Sequence, residues 1–504
     1  MVLASFFVFL FAHSQIVAYD TMWHLRTGDL ILSGVFPQTD IFSYTAYGRE
    51  WILHEWGSEV IFSLCYKWSG WNGLVVFRAL IFSITMGIMF RLLQKRNINL
   101  FLAILLTFSC YFATLITWTV RPHIFSILFL TLLLYLYDAY IHRNSKAIYI
   151  LPLLFMLWIN LHGGYVIGFI FLATALSGEG LSLALGVNND RDVSWRKLAI
   201  LSLIAGVSFL CCFINPLGAK LVFYPLMYLG DTMGDFYTFI TEWQASSSRN
   251  ALSFIALVIA TCIAALGSRK KLPLYEVLVV FVFMFFGFKA IRHTAIFAIV
   301  AIPAVSSLIE DILSRSARIL TDRTRDALSK SLKLIRYYLF SRSITFLKKE
   351  DQVFNPILLA LILLLLLLVS TTILSPLVNA RLSSKQYPKE TLSYLKESPH
   401  LEGNIFNQYA WGGIIIKELP NKKVFIDGRA DVYQKDIIEQ YKNVIVLKED
   451  WSEILKKHNV THILVDPNQI IARFLPGIDP NWHIAEEDDN SVLLLHNKVH
   501  LDTQ

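Results

Sequence analysis

The first 26 residues read MVLASFFVFLFAHSQIVAYDTMWHLR, in which an apolar run over residues 1–18 ends directly before Tyr19 and Asp20. No basic segment precedes the run and no small-x-small cleavage site precedes Tyr19, so the pattern is not that of a cleaved signal peptide. The run is close to the ~20 residues that cross a bilayer as a helix. We therefore predict a retained membrane helix that places Asp20 and His24 at the membrane surface.

The rest of the chain continues this pattern. Of its 504 residues, 55% are hydrophobic and only 16% are charged, whereas about 25% are charged in an ordinary soluble domain. Apolar runs long enough for membrane helices recur to about residue 377. The sequence predicts an all-α membrane fold of about 11 transmembrane helices, at residues 1–18, 72–92, 98–116, 124–141, 147–161, 164–185, 198–214, 251–267, 273–289, 293–312 and 355–377.

Two regions follow from this assignment. Residues 1–377 form a transmembrane domain, which includes a long first outer loop at 19–71 and a basic segment at 313–354. Within the loop, residues 58–68 are amphipathic and are predicted to lie at the interface. Residues 378–504 have soluble composition and are predicted to form a small α/β domain, with a helix near 388–397 and short β-strands at Gly413–Ile416, Lys423–Ile426, His462–Val465 and Val492–His496.

The distribution of basic residues sets the predicted orientation. Alternate loops hold 21 Lys and Arg residues in one set and 9 in the other. Because basic loops are retained in the cytoplasm, the N-terminus is predicted to be cytoplasmic and the C-terminal domain extracytoplasmic. The charge of segment 313–354 suits anionic lipid headgroups, so membrane lipid is an expected partner and nucleic acid is not.

The outward loops and helix ends hold an unusual set of polar side chains. Ionisable groups near a membrane are costly to place, so they pair with one another or line a watery cavity. For any one of them alone, an interfacial or structural role is the more common one. As a group they predict a functional site at the outer membrane surface, formed by Asp20, His24, His54, Glu55, Arg121, His123, His162, Glu242, Arg292 and His293.

Asp20 is the leading catalytic candidate. A carboxylate in a partly dry cavity accepts a proton from an attacking hydroxyl, and Arg121 and Arg292 can bind a phosphate leaving group. This combination describes glycosyl transfer from a lipid phosphate. The alternative for Asp20 is a structural ion pair with Arg26. Several of these histidines could in principle bind a metal, but no HExxH or similar spacing is present, and we assign no metal ligand from spacing.

Several stretches resemble the GT-C superfamily of polyprenyl-phosphate-dependent glycosyltransferases, and within it a poorly characterised, mainly prokaryotic group. In the first outer loop they are Asp20, His24 and Gly28, then Phe36, Pro37, Asp40, Ser43 and Tyr44, then Trp51, His54, Glu55 and Trp56. Further along they are Asn215, Pro216 and Gly218, then Glu242 and Trp243, and in the tail Phe425, Asp427, Arg429 and Tyr433. The resemblance covers nearly the whole chain.

The resemblance implies a catalytic cavity between the helices and the outer domain, open to a lipid-linked donor. It places Asp20 at the family's catalytic base or metal-linked carboxylate, with Asp40 and Glu55 as second candidates. The first loop has no adjacent acidic pair and no Asp-x-Asp, which leaves a divalent metal cofactor open. The tail is loosely similar to outer domains of oligosaccharyltransferases, which implies acceptor binding by Trp411, Asp427 and Arg429; Asp427-Gly428 is also an ordinary turn former.

The sequence thus predicts an inverting glycosyltransferase that moves a sugar from a polyprenyl-phosphate donor to an extracytoplasmic glycan, lipid or protein acceptor. Asp20, His24 and Glu55 are assigned to catalysis, and the other site residues to substrate binding. The main alternative is a transporter or flippase of lipid-linked saccharide. Such a protein is expected to show inverted repeats and polar groups near the bilayer midplane, and neither is evident in the sequence.

Overall fold

A computed structural model of the chain describes residues 19–187, 192–229, 241–247, 251–323, 387–399 and 401–498. The predicted helices at 1–18 and 355–377 lie outside the described residues. So do most of the basic segment 313–354 and the predicted domain boundary at 377, and these assignments stay predictions.

The described part of the membrane region is mainly helical. Its helices are α1 (Asp20–Leu32), α2 (Trp56–Lys95), α3 (Leu100–Thr114), α4 (His123–Arg143), α5 (Leu151–Leu161), α6 (Tyr165–Ala184), α7 (Trp195–Cys211), α8 (Ala219–Phe223), α9 (Leu252–Gly267), α10 (Leu274–Lys289) and α11 (Thr294–Arg323).

Four of the described helical stretches are long and apolar enough to cross a membrane: α2, α4, α6 and the stretch Ile291–Ser316 around α11. Shorter apolar helices lie at Leu100–Thr114, Lys146–Leu161 and Leu252–Gly267. A helix is present at each predicted span between residues 72 and 312. The all-α membrane fold is therefore confirmed, whereas the total of about 11 spans stays a prediction.

Helix α2 contains two elements that the sequence analysis predicted as separate. The predicted amphipathic stretch 58–68 and the predicted span 72–92 form one 40-residue helix with a kink at Ser69 and Gly70. Gly70 has a φ of 57°, a left-handed conformation that glycine adopts without a Cβ clash. The kink lets the first part of α2 run in a different direction from the span that follows it.

The tail contains a mixed four-stranded sheet with order β1-β2-β4-β3. Strand β1 pairs with β2 in parallel, and the other two pairs are antiparallel. Its elements are α12 (Lys389–Glu397), β1 (Asn404–Asn407), α13 (Gly412–Glu418), α14 (Lys435–Ile445), α15 (Trp451–Lys457), β2 (Val460–Val465), α16 (Ile470–Ile478), β3 (Trp482–Glu487) and β4 (Val492–His496).

Two of the four predicted tail strands are confirmed, and two are wrong. His462–Val465 lies within β2, and Val492–His496 is β4. Gly413–Ile416 is instead part of helix α13, and around Lys423–Ile426 only isolated bridges form, both through Val424. A short apolar run does not distinguish a buried strand from a buried helix, and every residue from Gly412 to Ile416 is buried.

The first outer loop and the tail share one hydrophobic core. Met22, Trp23 and Trp51 are buried in the same cluster as the apolar residues of the sheet. Loop residues also continue the sheet edge, since the Val424 N–H donates to the Phe42 carbonyl at 3.0 Å and the Tyr44 N–H donates to the Val424 carbonyl at 3.1 Å. The tail is thereby fixed against the loop that carries Asp20.

A buried ion cluster joins the helices at the other end of α2. The guanidinium of Arg96 donates to Asp138 of α4 at 2.8 Å, to Glu276 of α10 at 2.6 Å and to the Pro303 carbonyl of α11 at 2.9 Å. Asp138 also accepts from Arg143 at 2.8 Å. One side chain therefore ties four helices together.

Replacing Arg96 by methionine is expected to lower the free energy of unfolding by about 3 kcal/mol, because Glu276 then stays buried without a charged partner. Thermal unfolding in nanodiscs measures the loss. Arg196→Met, at an exposed position in α7, is the matched control and should change little. Equal unfolding temperatures for both variants would contradict the role of this cluster.

Candidate active site

Asp20 lies at the first residue of α1, beside the loop that precedes α4. The Thr21 hydroxyl donates to the Val120 carbonyl at 2.7 Å, which fixes the start of α1 against that loop. Arg121 follows Val120 directly, and one of its terminal nitrogens lies 3.2 Å from Asp20 Oδ2. A hydrogen bond between backbone segments 99 residues apart therefore creates a contact that sequence spacing does not reveal.

Arg121 pairs with a second carboxylate as well. Its guanidinium donates to Glu242, which lies between α8 and α9 in the chain. The charge of Arg121 lowers the pKa of Glu242 to about 2. Burial raises the pKa of Asp20, and the Arg121 charge opposes that rise. Asp20, Arg121 and Glu242, all predicted site residues, thus form one ion cluster at one end of the helices.

Glu55 forms the centre of a second cluster, in which three imidazoles face its carboxyl group. The Nε2 atoms of His24, His54 and His162 lie 3.7, 3.6 and 3.4 Å from its oxygens. The side chain of Glu55 is 13% exposed. Three predicted residues of the first outer loop therefore meet His162, which follows α5, at one point.

Burial sets the charge state of this second cluster. It raises the pKa of Glu55 and lowers the pKa values of His24 and His162 well below their usual range. Both of these imidazoles are therefore neutral at pH 7, as burial disfavours the charged form. His24 lies one helical turn beyond Asp20, so α1 carries a residue of each cluster on one face.

Glu59 is a member of this cluster that the sequence analysis missed. Its Oε1 lies 3.2 Å from Nδ1 of His24, and its side chain is fully buried. Glu59 is four residues after Glu55, and its N–H donates to the Glu55 carbonyl at 3.1 Å across the first turn of α2. That spacing was the available signal, because an acidic residue four positions after a candidate carboxylate in an amphipathic helix reaches the same side.

The remaining predicted residues of the membrane region lie at the same end of the helices as the two clusters but contact other partners. The guanidinium carbon of Arg292 lies 4.2 Å from the ring centre of Trp243. Arg292 is near enough to lower the pKa values of Glu55 and Glu242 through its charge. His123 contacts the Thr117 carbonyl, and His293 Nδ1 lies 3.3 Å from the Phe286 carbonyl.

The three predicted tail residues are interior. Trp411 is 3% exposed, and the side chains of Asp427 and Arg429 are fully buried. Arg429 forms a bidentate pair with Asp427 at 2.9 and 2.6 Å and a further pair with Asp40 of the first outer loop at 2.7 Å. The Tyr433 hydroxyl donates to Asp427 at 2.7 Å. These contacts tie the tail to the loop and do not present the two charges at an open surface.

Between Asp427 and Arg429, the backbone of Gly428 lies against the carboxyl group of Asp20. A Cβ atom at position 428 would stand 1.9 Å from Asp20 Oδ1. Only glycine lets the tail approach this closely. The tail therefore forms one wall of the site.

Replacing Gly428 by alanine is expected to push the Asp20 carboxyl group away from Arg121 without unfolding the tail, since the clash is with the end of a side chain. Any activity that depends on Asp20 should fall by about 10²-fold, because misplacing a reacting group by 1 Å has effects of this size. Gly477→Ala is the control, as a Cβ there has open space around it. Unchanged activity with intact folding would show that Asp20 tolerates displacement.

No group of three or more His, Cys, Asp or Glu side chains within the described ranges is arranged to hold a metal ion. The positive charge that pairs with both Asp20 and Glu242 is the Arg121 guanidinium. The residues of that cluster therefore do not fit a divalent ion between the two carboxylates.

The fold and site define a polytopic membrane protein whose polar side chains gather beneath a mixed sheet. No protein-family profile matches the chain, and no curated protein matches it by sequence. Solved structures match it at low identity. An oligosaccharyltransferase from Archaeoglobus fulgidus has a TM-score of 0.57 at 12% identity, over 92% of this chain and 68% of the other.

Two further structures are similar. ArnT from Cupriavidus metallidurans has a TM-score of 0.50 at 13% identity, over 98% of this chain and 96% of its own, in a complex with undecaprenyl phosphate. The arabinofuranosyltransferase AftD from Mycobacteria has a TM-score of 0.51 at 11% identity, over 98% of this chain and 39% of its own. The chain therefore shares its fold with these solved structures, which are membrane glycosyltransferases of the GT-C superfamily.

Proposed function

We propose that the protein is an inverting glycosyltransferase that takes a sugar from a polyprenyl-phosphate donor and transfers it to an extracytoplasmic acceptor. The observation that carries the proposal is the meeting of Asp20, Arg121 and Glu242 with the imidazole cluster of Glu55. Carboxylates that can move protons lie there beside cations that can bind phosphate.

The donor phosphate is assigned to Arg121 and Arg292. The side chain of Glu242 is 45% exposed, whereas that of Asp20 is 24% exposed. An entering phosphate can therefore replace Glu242, the more accessible of the two carboxylates, as a partner of Arg121. Related solved structures support this class of donor. One is an archaeal oligosaccharyltransferase in complex with an inhibitory peptide and a dolichol-phosphate, and another is ArnT bound to undecaprenyl phosphate.

Asp20 is assigned as the general base. It removes the proton of the acceptor hydroxyl while that oxygen attacks the anomeric carbon, and the lipid phosphate leaves from the opposite side with inversion. Arg121 beside Asp20 favours the ionised carboxylate that this role needs. Asp427, Arg429 and Trp411, assigned to substrate binding from the sequence, are better placed to hold the tail against the first loop than to touch an acceptor.

Transport of a lipid-linked saccharide is the competing function. A transporter is expected to line a path through the midplane with polar groups, whereas here the two clusters lie at the ends of helices that begin at the outer side in the predicted topology. No observation on the described residues favours transport over transfer.

Purified protein in nanodiscs, incubated with radiolabelled undecaprenyl-phosphate sugars and a panel of glycan, lipid and peptide acceptors, tests the proposal. We expect label to move from the lipid to one class of acceptor. The same protein in vesicles, with donor in one leaflet, measures flipping. Movement of donor between leaflets without transfer to any acceptor would replace this proposal with the transporter.

A further inference from the structure

A row of buried hydrogen bonds ends at His162, one of the predicted site residues. The indole N–H of Trp158, in α5, donates to the Ser126 hydroxyl oxygen of α4 at 2.7 Å. That oxygen lies 2.7 Å from Nδ1 of His162, and the Gly164 N–H donates to the same nitrogen at 3.0 Å. Trp158 is fully buried and Ser126 is 5% exposed, so water competes little with these bonds.

These contacts decide which nitrogen of the His162 ring carries a hydrogen. A backbone N–H can only donate, so Nδ1 accepts from Gly164 and the hydrogen of the neutral ring is on Nε2. The Ser126 oxygen already accepts from Trp158, which leaves its own hydrogen for Nδ1. A second proton on the ring would have to displace both donors from Nδ1, and burial also lowers the pKa of His162. His162 is therefore a fixed, neutral N–H donor.

The space around Nδ1 of His162 is closed. A Cβ atom on Gly164 would stand 2.7 Å from this nitrogen and closer still to the Ser126 hydroxyl. A side chain at position 164 would therefore push the two partners apart. Glycine lets the backbone before α6 approach the ring and donate to it directly.

Packing between α2 and α5 holds the other side of the ring near Glu55. Trp56 Nε1 donates to Asn160 Oδ1 at 3.0 Å. The two backbones also lie close, since a Cβ atom on Gly57 would stand 2.6 Å from the Asn160 carbonyl oxygen. Glu55 directly precedes α2, and His162 directly follows α5. The distance between these two side chains is therefore set by the helices that carry them.

The Nε2–H of His162 is available to a ligand. Glu55 Oε1 lies 3.4 Å from Nε2, beyond the usual ~2.7–3.2 Å of an N–H···O hydrogen bond. The two side chains are 11% and 13% exposed, so a ligand can reach them. A donor without a hydrogen bond in a mostly buried site is costly. A ligand oxygen that accepts this hydrogen would therefore be bound favourably.

The chemistry of this pair indicates its ligand. An N–H donor and a carboxyl acceptor lie side by side, and a sugar hydroxyl can accept one hydrogen and donate another. Neighbouring hydroxyls of one sugar ring can therefore engage both groups at once. A lipid phosphate offers negative acceptor oxygens only, so it suits the guanidiniums of Arg121 and Arg292 better than a position beside Glu55.

We propose that His162 and Glu55 select the transferred sugar through its hydroxyl groups. The Nε2–H of His162 donates to one hydroxyl oxygen, and the Glu55 carboxyl group accepts from the neighbouring hydroxyl. Ser126 and Trp158 are positioning residues, since they keep the hydrogen of His162 on Nε2. The assignment rests on the proposed function and names the feature of the donor that the site recognises, which is two adjacent unsubstituted hydroxyls.

Nitrogen-15 NMR of histidine-labelled protein in nanodiscs tests the fixed donor without substrate, with the His162 signal assigned by its loss in His162→Gln. We expect hydrogen on Nε2 and a ring that stays neutral at about pH 5, below the usual histidine pKa of about 6.5. Ser126→Ala removes a donor from Nδ1 and should raise the pKa of the ring. Ser83→Ala, where a buried hydroxyl bonds within its own helix, should not. A wild-type ring that titrates near pH 6.5, or carries its hydrogen on Nδ1, would overturn the proposal.

Binding of undecaprenyl-phosphate hexoses and their monodeoxy analogues to the protein in nanodiscs tests the sugar selection separately from transfer. We expect the wild type to bind one or two of the analogues at least about tenfold more weakly than the parent, for the loss of a hydrogen bond. His162→Ala should bind the parent and these analogues alike. Ser126→Ala should reduce the preference, and Ser83→Ala should keep it.

The outcomes separate the two proposals. Equal binding of the parent and every analogue by the wild type would overturn the sugar selection, as would a preference that His162→Ala and Ser126→Ala both retain. A preference of the wild type without transfer to any acceptor would overturn the proposed function and leave the selection standing. No binding of any of these donors would overturn both.

Discussion

Asp20→Asn is expected to lower the rate of sugar transfer by about 10²–10⁴-fold, the usual contribution of a positioned general base. The amide keeps the size of the side chain but cannot accept the proton of the acceptor hydroxyl. Labelled donor and acceptor in nanodiscs measure the rate. Flipping of the lipid donor and thermal unfolding should change little, since the variant removes a charge from a site that is 24% exposed.

The pH dependence of the wild type gives a second readout for Asp20. Burial raises its pKa, and the base must be ionised to act. Activity should therefore be present above that raised pKa and be lost as pH falls through it. Asp436→Asn, at an exposed site in the tail, is the control with unchanged transfer. Normal transfer by Asp20→Asn would remove Asp20 from the catalytic step.

Arg429→Met is expected to be the most destabilising single change in the tail, at about 3–5 kcal/mol. It leaves Asp40 and Asp427 buried without their common counter-ion and removes a cation packed 4.9 Å and 4.7 Å from the ring centres of Phe42 and Trp51. Burial alone would lower the pKa of Arg429, and the charges of Asp427 and Asp40 raise it instead. The guanidinium is therefore held charged in the folded protein.

Because Asp40 belongs to the first outer loop, the variant should also release the tail from that loop. Limited proteolysis in nanodiscs measures the release, with the expectation that cleavage of the tail becomes faster in Arg429→Met. Arg473→Met is the matched control at an exposed tail position. Equal proteolysis of the two variants would mean that the buried network does not hold the tail in place.

The sequence was informative wherever a pattern repeats. Long apolar runs predicted a helix at every described span between residues 72 and 312, and short apolar runs predicted β2 and β4. It was wrong for Gly413–Ile416, where four residues cannot show a period, and packing against α1 decides in favour of a helix. Strands β1 and β3 were missed, since Asn404–Asn407 is only four residues long and Trp482–Glu487 is mainly polar in its second half.

The candidate site was also predictable from the sequence only in part. Depth and charge predicted that Asp20, Glu55, Arg121 and the histidines belong together, because costly polar groups at one end of a helix bundle need one another. Which atoms pair was not predictable. The contact of Arg121 with Asp20 depends on where the loop before α4 meets α1, and that depends on packing between segments about a hundred residues apart.

The sequence by itself determined that this is a membrane protein with its ionisable groups gathered at one end of its helices. The hydropathy and the charge of a residue are properties of its own side chain, so they can be read directly from the sequence. Only the tertiary structure decided that Glu59 joins the site, that Asp427 and Arg429 face inward and that Gly428 lies against Asp20. Those outcomes depend on close packing between distant segments, which local patterns do not encode.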